Sequence, residues 1–243
     1  MTKLMQLNVW AGRLEREIKK FIEAEKPDIV CLQEAISFDK GDAGMFFTIE
    51  NFQESLGIEY SAFSPVFSFN FMRGVARFGN CILSRYPIKK SETIFTYLNH
   101  KDNFDFNEDS GNVRNFVHAV ISLNNKDYNV ITHHGYHVPE HKEGNDETLR
   151  QMQLLGEYID QIDGNIILAG DFNLAPHSQS LELINKRLGN QSIKAKLKTT
   201  RNQLTHKTEV CDYIFTSDGI KVSHFNTADD LISDHKALMI EFN

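Results

Sequence analysis

The stretch Ile166-Ile167-Leu168-Ala169-Gly170-Asp171-Phe172-Asn173-Leu174 contains four apolar residues followed at once by glycine, aspartate, phenylalanine and asparagine. The apolar run predicts a buried strand whose end carries a carboxylate and a carboxamide. In α/β proteins this edge of a sheet is where ligands bind. Asp171 and Asn173 lie two residues apart, so in an extended chain their side chains project to the same side. Such a motif also occurs as an ordinary turn, and the rest of the chain decides between the two interpretations.

The bulk composition is that of a globular α/β domain. The chain has 243 residues, of which 41% are hydrophobic, enough for a sizeable core. We predict one domain over residues 1–243, because the sequence has no linker, repeat or low-complexity tract. The formal net charge of −7 argues against a general double-stranded DNA coat or a membrane-surface protein, since both depend on positive charge.

The sequence also bears on the compartment. Met1-Thr2-Lys3 leads directly into an apolar alternation, so we expect no signal peptide. No apolar run approaches the roughly 18 residues of a transmembrane helix, so we expect no membrane insertion. Cys31, Cys81 and Cys211 lie far apart in apolar runs, which is typical of buried thiols in a reducing cytoplasm. We therefore expect a cytoplasmic protein, and we expect a monomer.

Polar residues recur at the ends of other predicted strands. Residues 4–9 predict a strand, 12–25 a helix and 28–32 a second strand. This strand-helix-strand unit places Asn8 and Glu34 at corresponding ends of neighbouring strands. Asp212 interrupts a further apolar strand, and a buried carboxylate needs a partner. Other strands are predicted at 60–72 (as a strand pair), 79–88, 113–123, 128–132, 210–215, 220–225 and 237–242, and other helices at 45–56, 145–162 and 180–186.

Four histidines follow the 128–132 strand, at positions 133, 134, 137 and 141. A zinc hydrolase is one interpretation. However, Gly135 and Pro139 prevent the helix that would align the histidines, the metallo-hydrolase spacing is missing, and no thiolate lies alongside. We favour one functional histidine at the strand end, with the others in a polar loop.

A basic segment interrupts the acidic chain. Between positions 186 and 207 there is no Asp or Glu, and the basic residues are Lys186, Arg187, Lys194, Lys196, Lys198, Arg201 and Lys207. This segment is either a solvated surface or a contact for phosphate groups. Together with the aromatic residues between Phe67 and Phe71 it favours a nucleic-acid strand. The acidic total instead favours a small phosphoester.

Eight residues share one property, which is that each interrupts an apolar run at or near a predicted strand end. They are Asn8, Glu34, His133, Asp171, Asn173, Asp212, Asp234 and His235. A turn, a cap or a satisfied core group explains any one of them. Burying all of them without a ligand would exceed what a fold of ordinary stability tolerates.

The ordered motifs resemble the endonuclease/exonuclease/phosphatase (DNase I-like) superfamily over residues 4–242. They are Leu7-Asn8, Leu32-Gln33-Glu34, Gly79-Asn80, Thr132-His133, Gly170-Asp171-Phe172-Asn173, Asp212-Tyr213-Ile214 and Ser233-Asp234-His235. Two departures stand out. The superfamily has Thr-His-Leu where this chain has Thr132-His133-His134, so His134 could be mistaken for the functional histidine, His133. Residues 135–144 match no subfamily signature, which leaves the substrate open.

The resemblance implies an α/β fold, specifically a four-layer α/β sandwich of two face-to-face mixed β-sheets flanked by helices. It also implies a divalent cation, Mg²⁺ or Mn²⁺, bound by Glu34 with Asn8 and Asp234 close to the metal or its waters. Such oxygen donors suit Mg²⁺, which keeps several waters.

The resemblance further implies roles in catalysis. Asp171 and Asn173 would position the attacking water and a phosphate oxygen. His235, oriented by Asp212, would act as general base or bind the phosphate. His133 would donate to a non-bridging oxygen. For substrate binding we expect Asn80, and from the basic segment we add Arg201.

We therefore predict a metal-dependent phosphoric ester hydrolase. Its reaction would be cleavage of a phosphodiester, in nucleic acid or a nucleotide-like molecule, by in-line attack of an activated water. One alternative is a phosphatase or phosphodiesterase of a small phosphorylated metabolite or lipid headgroup. Another is a non-catalytic binding module on the same fold.

Overall fold

A computed structural model describes residues 1–39 and 44–243 of the chain. Its strands are β1 (Thr2–Asn8), β2 (Ile29–Phe38), β3 (Tyr60–Phe71), β4 (Gly74–Ser84), β5 (Ile88–Tyr97), β6 (Arg114–Leu123), β7 (Lys126–His134), β8 (Asn165–Asp171), β9 (Gly189–Asn190), β10 (Asp212–Thr216), β11 (Val222–Thr227) and β12 (Leu238–Phe242). Its helices are α1 (Glu15–Glu25), α2 (Ile49–Leu56), α3 (Asp146–Ile159), α4 (Gln179–Asn185) and α5 (Gln191–Lys194), with a 3-10 turn at Trp10–Gly12. Within the described ranges, no helix combines the length and apolarity needed to cross a membrane.

The strands form two six-stranded sheets. Their spatial orders are β11-β12-β1-β2-β4-β3 and β5-β6-β7-β8-β10-β9. Both sheets are mixed, because β1 pairs parallel with β2 and antiparallel with β12, while β7 pairs parallel with β8 and antiparallel with β6.

Alternation along the strands divides the core into three apolar layers. Helices α1 and α2 pack on the outer face of the first sheet, for example through Ile18 and Phe52. The inner faces of the two sheets meet through residues such as Ile240 and Ile214. Helices α3 and α4 cover the outer face of the second sheet, where Leu155 packs. Helix, sheet, sheet and helix make the four-layer α/β sandwich that the resemblance implied.

The space between the sheets turns polar towards one end. Gln6 of β1 donates from Nε2 to Gln33 Oε1 of β2 at 2.8 Å, and Gln33 Nε2 donates to Thr132 Oγ1 of β7 at 2.8 Å. All three side chains are fully buried. This relay joins the two sheets directly beneath the strand ends that carry Asn8, Glu34 and Asp171.

Several elements differ from the sequence prediction, among them β3, β5 and α2. Of the predicted pair at 60–72, residues Tyr60–Phe71 form one long strand, which pairs with the following strand β4. Strand β5 was missed because Pro87 indicated an end, whereas the chain resumes pairing one residue later. Helix α2 begins at Ile49, later than predicted, because the Thr48 side chain accepts from the Asn51 N–H and forms a capping box.

Candidate active site

A cleft of about 250 Å³ opens at the polar end of the sandwich. It is lined by Trp10, Glu34, Arg114, His134, His137, Asp171, Asn173, Arg201, Lys207, Asp234 and His235. These residues come from both sheets and from the loops that follow them. The structure therefore brings Glu34, Asp171, Asn173, Asp234, His235 and Arg201 of the predicted set into one cavity.

Asp171, the last residue of β8, lies at the centre of the cleft. Its Oδ1 accepts the Asn173 N–H at 2.9 Å, and its Oδ2 accepts from Asn8 Nδ2 at 3.2 Å. His235 Nε2 lies 3.6 Å and Arg201 Nη2 3.9 Å from Oδ2. Burial works to raise the pKa of Asp171, but His235 and Arg201 outweigh it and hold the pKa far below its usual value. Asp171 is therefore a carboxylate in the folded protein.

Glu34 owes its position to a β-bulge in β2. The pairing of β2 with β4 shifts register between Leu32 and Ala35, and Glu34 has a left-handed φ of 54°. A bulge adds a residue to one strand and redirects its side chains. Glu34 consequently reaches the cleft, where its Oε1 accepts from Asn8 Nδ2 at 2.9 Å. Burial, with the nearby carboxylates of Asp171 and Asp234, raises the pKa of Glu34.

Asn8 lies beneath the cleft and connects these carboxylates. Its Nδ2 donates to both Glu34 and Asp171, while its Oδ1 accepts the Trp10 N–H at 3.1 Å. The residue is 1% exposed. In this arrangement Asn8 orients Glu34 and Asp171, and its place close to the metal or its waters stays a prediction.

Asp212 and His235 form a buried hydrogen-bonded pair. His235 Nδ1 donates to Asp212 Oδ2 at 2.9 Å. Asp212 also accepts from Thr200 Oγ1 at 2.6 Å and Gln6 Nε2 at 3.2 Å, so its predicted need for partners is met. Because Asp212 accepts the hydrogen bond of His235 Nδ1, the other ring nitrogen, Nε2, faces the cleft. Burial works to lower the pKa of His235, but Asp212 and Asp171 more than compensate and raise it.

Arg201, predicted from the basic segment, reaches the cleft although most of that segment does not. Its Nη1 contacts His235 Nε2 and lies 3.5 Å from Asp234 Oδ2. The side chain is 3% exposed. A guanidinium group matches the geometry of a phosphate with two parallel N–H donors.

His133 and His134 occupy opposite faces of β7. His133 faces away from the cleft, is completely buried and packs edge-on against Phe172 with ring centroids 5.1 Å apart. His134 pairs with Asp171 in the parallel ladder and lines the cleft, with Nε2 3.9 Å from Asp171 Oδ2. The placement of His133 in the site is therefore corrected to His134, because alternation along the strand puts only one of two neighbours on the inner face.

Asn80 also lies outside the cleft. Its Nδ2 donates to the backbone O of Asn115 at 3.2 Å and to Asn115 Oδ1 at 2.6 Å. Asn80 and Asn115 lie in strands of different sheets, so this carboxamide joins the sheets. Its expected contact with phosphate is corrected accordingly.

Several lining residues were not predicted. Arg114 donates from Nε to the Gly135 backbone O at 2.7 Å, and burial lowers its pKa to about 10, which leaves it charged at neutral pH. A charged residue next to the apolar start of β6 was a signal that could have identified it. His137 Nε2 is buried without a hydrogen-bond partner among the described residues. Lys207 was noted only as part of the basic segment, and Trp10, which follows Asn8 by two positions, was not singled out in the sequence.

The donor set of the cleft fits a hard divalent cation. Three carboxylates, Glu34, Asp171 and Asp234, line one small cavity, and oxygen donors of this kind bind Mg²⁺ or Mn²⁺. Among the described residues, ligand atoms of Asp171, Asp212 and His235 also lie within 4.8 Å of one another. In this second group Asp212 and His235 Nδ1 are hydrogen-bonded to each other. We therefore do not interpret it as a set of metal ligands. The histidines of residues 133–141 form no such group in the described chain.

Comparison with known proteins places this fold and site in a family. The profile of the Endonuclease/Exonuclease/phosphatase family matches residues 5–235. The chain belongs to this family of hydrolytic phosphoesterases, whose members are generally dependent on divalent metals. Among curated protein sequences, none matches this chain significantly.

Solved structures show the same fold at low sequence identity. A family protein from Leptotrichia buccalis superimposes with a TM-score of 0.73, 17% identity and full coverage of both chains. The Bacteroides thetaiotaomicron mannosyl-6-phosphatase Bt3783 gives 0.70, 16% identity and full coverage of both chains. The human Nocturnin catalytic domain gives 0.69 and 18% identity, covering 100% of this chain and 93% of that chain. At these identities the similarity extends to the fold alone.

Proposed function

We propose that this protein is a divalent-metal-dependent phosphoesterase that hydrolyses a small phosphorylated molecule by in-line attack of water. The observation that carries the proposal is the convergence of three carboxylates, the Asp212–His235 pair and two arginines, Arg114 and Arg201, on one cleft of about 250 Å³. Phosphoryl transfer requires positioning and neutralisation of charge, which such a set supplies.

In this proposal Glu34 and Asp234 bind the cation, with Asp171 next to it. Bound there, the cation would polarise a phosphate oxygen and offset its negative charge. Asp171 and Asn173 hold the attacking water, and the left-handed φ of 55° at Asn173 keeps its side chain on the cleft wall. His235 Nε2 accepts the proton of that water, since Asp212 holds Nδ1 and stabilises the resulting imidazolium.

The remaining donors surround the other phosphate oxygens. Arg201 and Arg114 are charged and their side chains are almost fully buried. Burial and the nearby charge of Arg114 hold the pKa of His134 well below its usual value, so it is a neutral imidazole that donates one hydrogen bond. Such preorganised donors lower the barrier when charge develops on the transferred group.

A small substrate is favoured over a nucleic-acid strand because the sequence features that suggested nucleic acid are dispersed. Of the seven basic residues between 186 and 207, only Arg201 and Lys207 line the cleft. Arg187 instead pairs with Asp160 at 2.7 Å. Phe67 is 5% exposed and stacks on Phe104 and Phe78, with centroids 4.0 and 4.7 Å apart, so its faces are occupied.

The test is an activity screen with Mg²⁺ and Mn²⁺ over sugar phosphates, aryl and alkyl phosphates, bis-p-nitrophenyl phosphate, DNA and RNA. We expect turnover of small esters, abolished in Glu34→Ala, Asp171→Ala and His235→Ala. His177→Ala is the matched control, because His177 is exposed and pairs with Glu143 at 2.9 Å outside the cleft. Near-wild-type turnover in all three site variants would contradict the proposal. If the protein cleaves only nucleic acid, and this activity falls steeply as the salt concentration rises, the function is cleavage of phosphodiesters in nucleic acid instead.

A further inference from the structure

Trp10, the one tryptophan of the chain, forms part of the cleft wall together with Glu34. Its side chain is partly exposed. Neither a hydrated divalent metal ion nor a phosphate group binds through an apolar aromatic surface. A large ring beside these charged groups therefore suggests contact with another part of the substrate.

The backbone holds Trp10 in an unfavourable conformation. Trp10 and Ala11 have left-handed φ values of 50° and 59°, a region that non-glycine residues rarely adopt. The turn is fixed because the Trp10 N–H donates to Asn8 Oδ1 at 3.1 Å and the Phe47 N–H donates to the Gly12 backbone O at 2.8 Å. Strained residues of this kind concentrate at ligand sites, where the surrounding structure maintains them. Through Asn8, the position of the indole is tied to Glu34.

The indole also has an ordered neighbour and open space beyond it. The Arg13 guanidinium carbon lies 4.7 Å from the ring centroid, a cation–π contact that fixes the ring plane. Arg13, with Met45 and Phe46, also lines a groove of about 620 Å³. An open groove thus lies next to the arginine that contacts the indole.

We infer that Trp10 is a specificity-determining residue that packs against a ring in the leaving group of the phosphoester. The inference rests on the proposed function and narrows its substrate class. The protein should prefer phosphoesters in which a ring, such as a sugar, base or aryl group, lies within about one carbon of the phosphate oxygen, over open-chain esters. Aromatic side chains stack on such rings largely independently of their polar substituents.

A binding experiment tests the inference without turnover. Because Trp10 is the sole indole, its fluorescence reports on the cleft of the metal-loaded protein. We expect benzylphosphonate, which is not hydrolysed, to change the emission saturably and to bind about tenfold more tightly than ethylphosphonate, as one stacking contact predicts. Equal affinities for the two phosphonates would overturn the inference.

A kinetic experiment separates specificity from general activity. Benzyl phosphate and ethyl phosphate have alcohol leaving groups of similar acidity, so the ratio of their kcat/KM values reports ring recognition. Trp10→Ala should lower this ratio about tenfold, mainly through KM for the benzyl ester, and Trp10→Phe should restore most of it. Circular dichroism melting checks that both variants fold.

The matched control is Phe106→Ala, since Phe106 is 66% exposed and does not line the cleft. It should keep the wild-type ratio. An unchanged ratio in Trp10→Ala would overturn the inference while leaving the proposed function standing. If no ester is hydrolysed at all, the proposed function fails, and the phosphonate binding decides the role of Trp10 on its own.

Discussion

His133 and His134 are neighbours in the chain with opposite surroundings. His133 is enclosed on the helix-facing side of β7, and neither of its ring nitrogens has a hydrogen-bond partner of normal geometry among the described residues. His134 faces the cleft across from Asp171. His133 is therefore a residue of the core, and His134 is a residue of the cleft.

This difference predicts the effects of two substitutions. His134→Ala should lower kcat by about 10²–10³, the usual loss for removing one donor to a developing oxyanion. His133→Phe should keep kcat within about a factor of three, because Phe is of similar size and meets Phe172 in the same way. Steady-state kinetics of both purified variants on one small ester checks this. Loss of activity in His133→Phe with retention in His134→Ala would return the role to His133.

His133 also predicts a pH dependence of stability. Burial and the nearby Arg114 lower the pKa of His133 from 6.5 to about 3. Below pH 6.5 the unfolded chain therefore binds a proton that the folded chain does not. The free energy of unfolding is unaffected by this group above pH 6.5, and as the pH falls from 6.5 towards 3 it decreases by about 1.4 kcal/mol per unit.

Urea unfolding between pH 7 and pH 5 measures this effect. In His133→Phe the free energy of unfolding should fall less steeply with decreasing pH than in wild type, by up to the about 1.4 kcal/mol per pH unit that one proton accounts for. At pH 5 the variant should be the more stable protein. An identical slope in both proteins would show that His133 is not buried in its neutral form.

At the level of secondary-structure elements, the site depends on irregular backbone geometry at or near the ends of strands. Glu34 reaches the cleft through a bulge, and Asn173 through a left-handed residue just after β8. The sequence predicted that both residues follow apolar strands, since that information is local. It could not predict the bulge or the register of β7 against β8, because these depend on pairing between distant segments.

The register explains where sequence reasoning failed. Choosing between His133 and His134 requires knowing which one lies beside Asp171, and the motif alone led to His133. Asn80 was predicted at a strand start but lies inside β4, and its partner Asn115 lies in the other sheet. In contrast, a general rule predicted that the buried carboxylate of Asp212 needs a partner, and the family resemblance implied that this partner is His235.

Gly170 allows β7 and β8 to approach closely where both enter the site. A Cβ added at Gly170 would lie 2.0 Å from the His133 backbone O. Gly170→Ala should therefore push the strands apart, destabilise the protein by about 1–3 kcal/mol or more and reduce activity with it. Thermal melting and kinetics of the variant measure both effects. Gly111→Ala is the control, because a Cβ there meets nothing within 4 Å, and equal stability of the two variants would refute this account.

For the whole molecule, the sandwich acts as a support for one charged cleft. The Gln6–Gln33–Thr132 relay joins the sheets beneath it, and each sheet contributes a carboxylate to it, Glu34 from β2 and Asp171 from β8. The net charge of −7 gave no indication of this cleft, because it sums the charges of the whole chain without regard to their positions. The fold class was predictable from ordered motifs spread over the chain, whereas the shape of the cleft required the packing of loops that carry no periodic signal.

The central claim is that residues from position 34 to position 235 form one cation-dependent phosphoesterase site. The most direct measurement is the turnover of metal-free protein on a small phosphoester as Mg²⁺ or Mn²⁺ is added, for wild type, Glu34→Gln and Asp234→Asn. We predict no turnover with EDTA, saturable activation of wild type, and activation in the two variants that is lost or shifted to at least about tenfold higher metal concentration. Full turnover in EDTA, or identical metal activation in all three proteins, would contradict the claim.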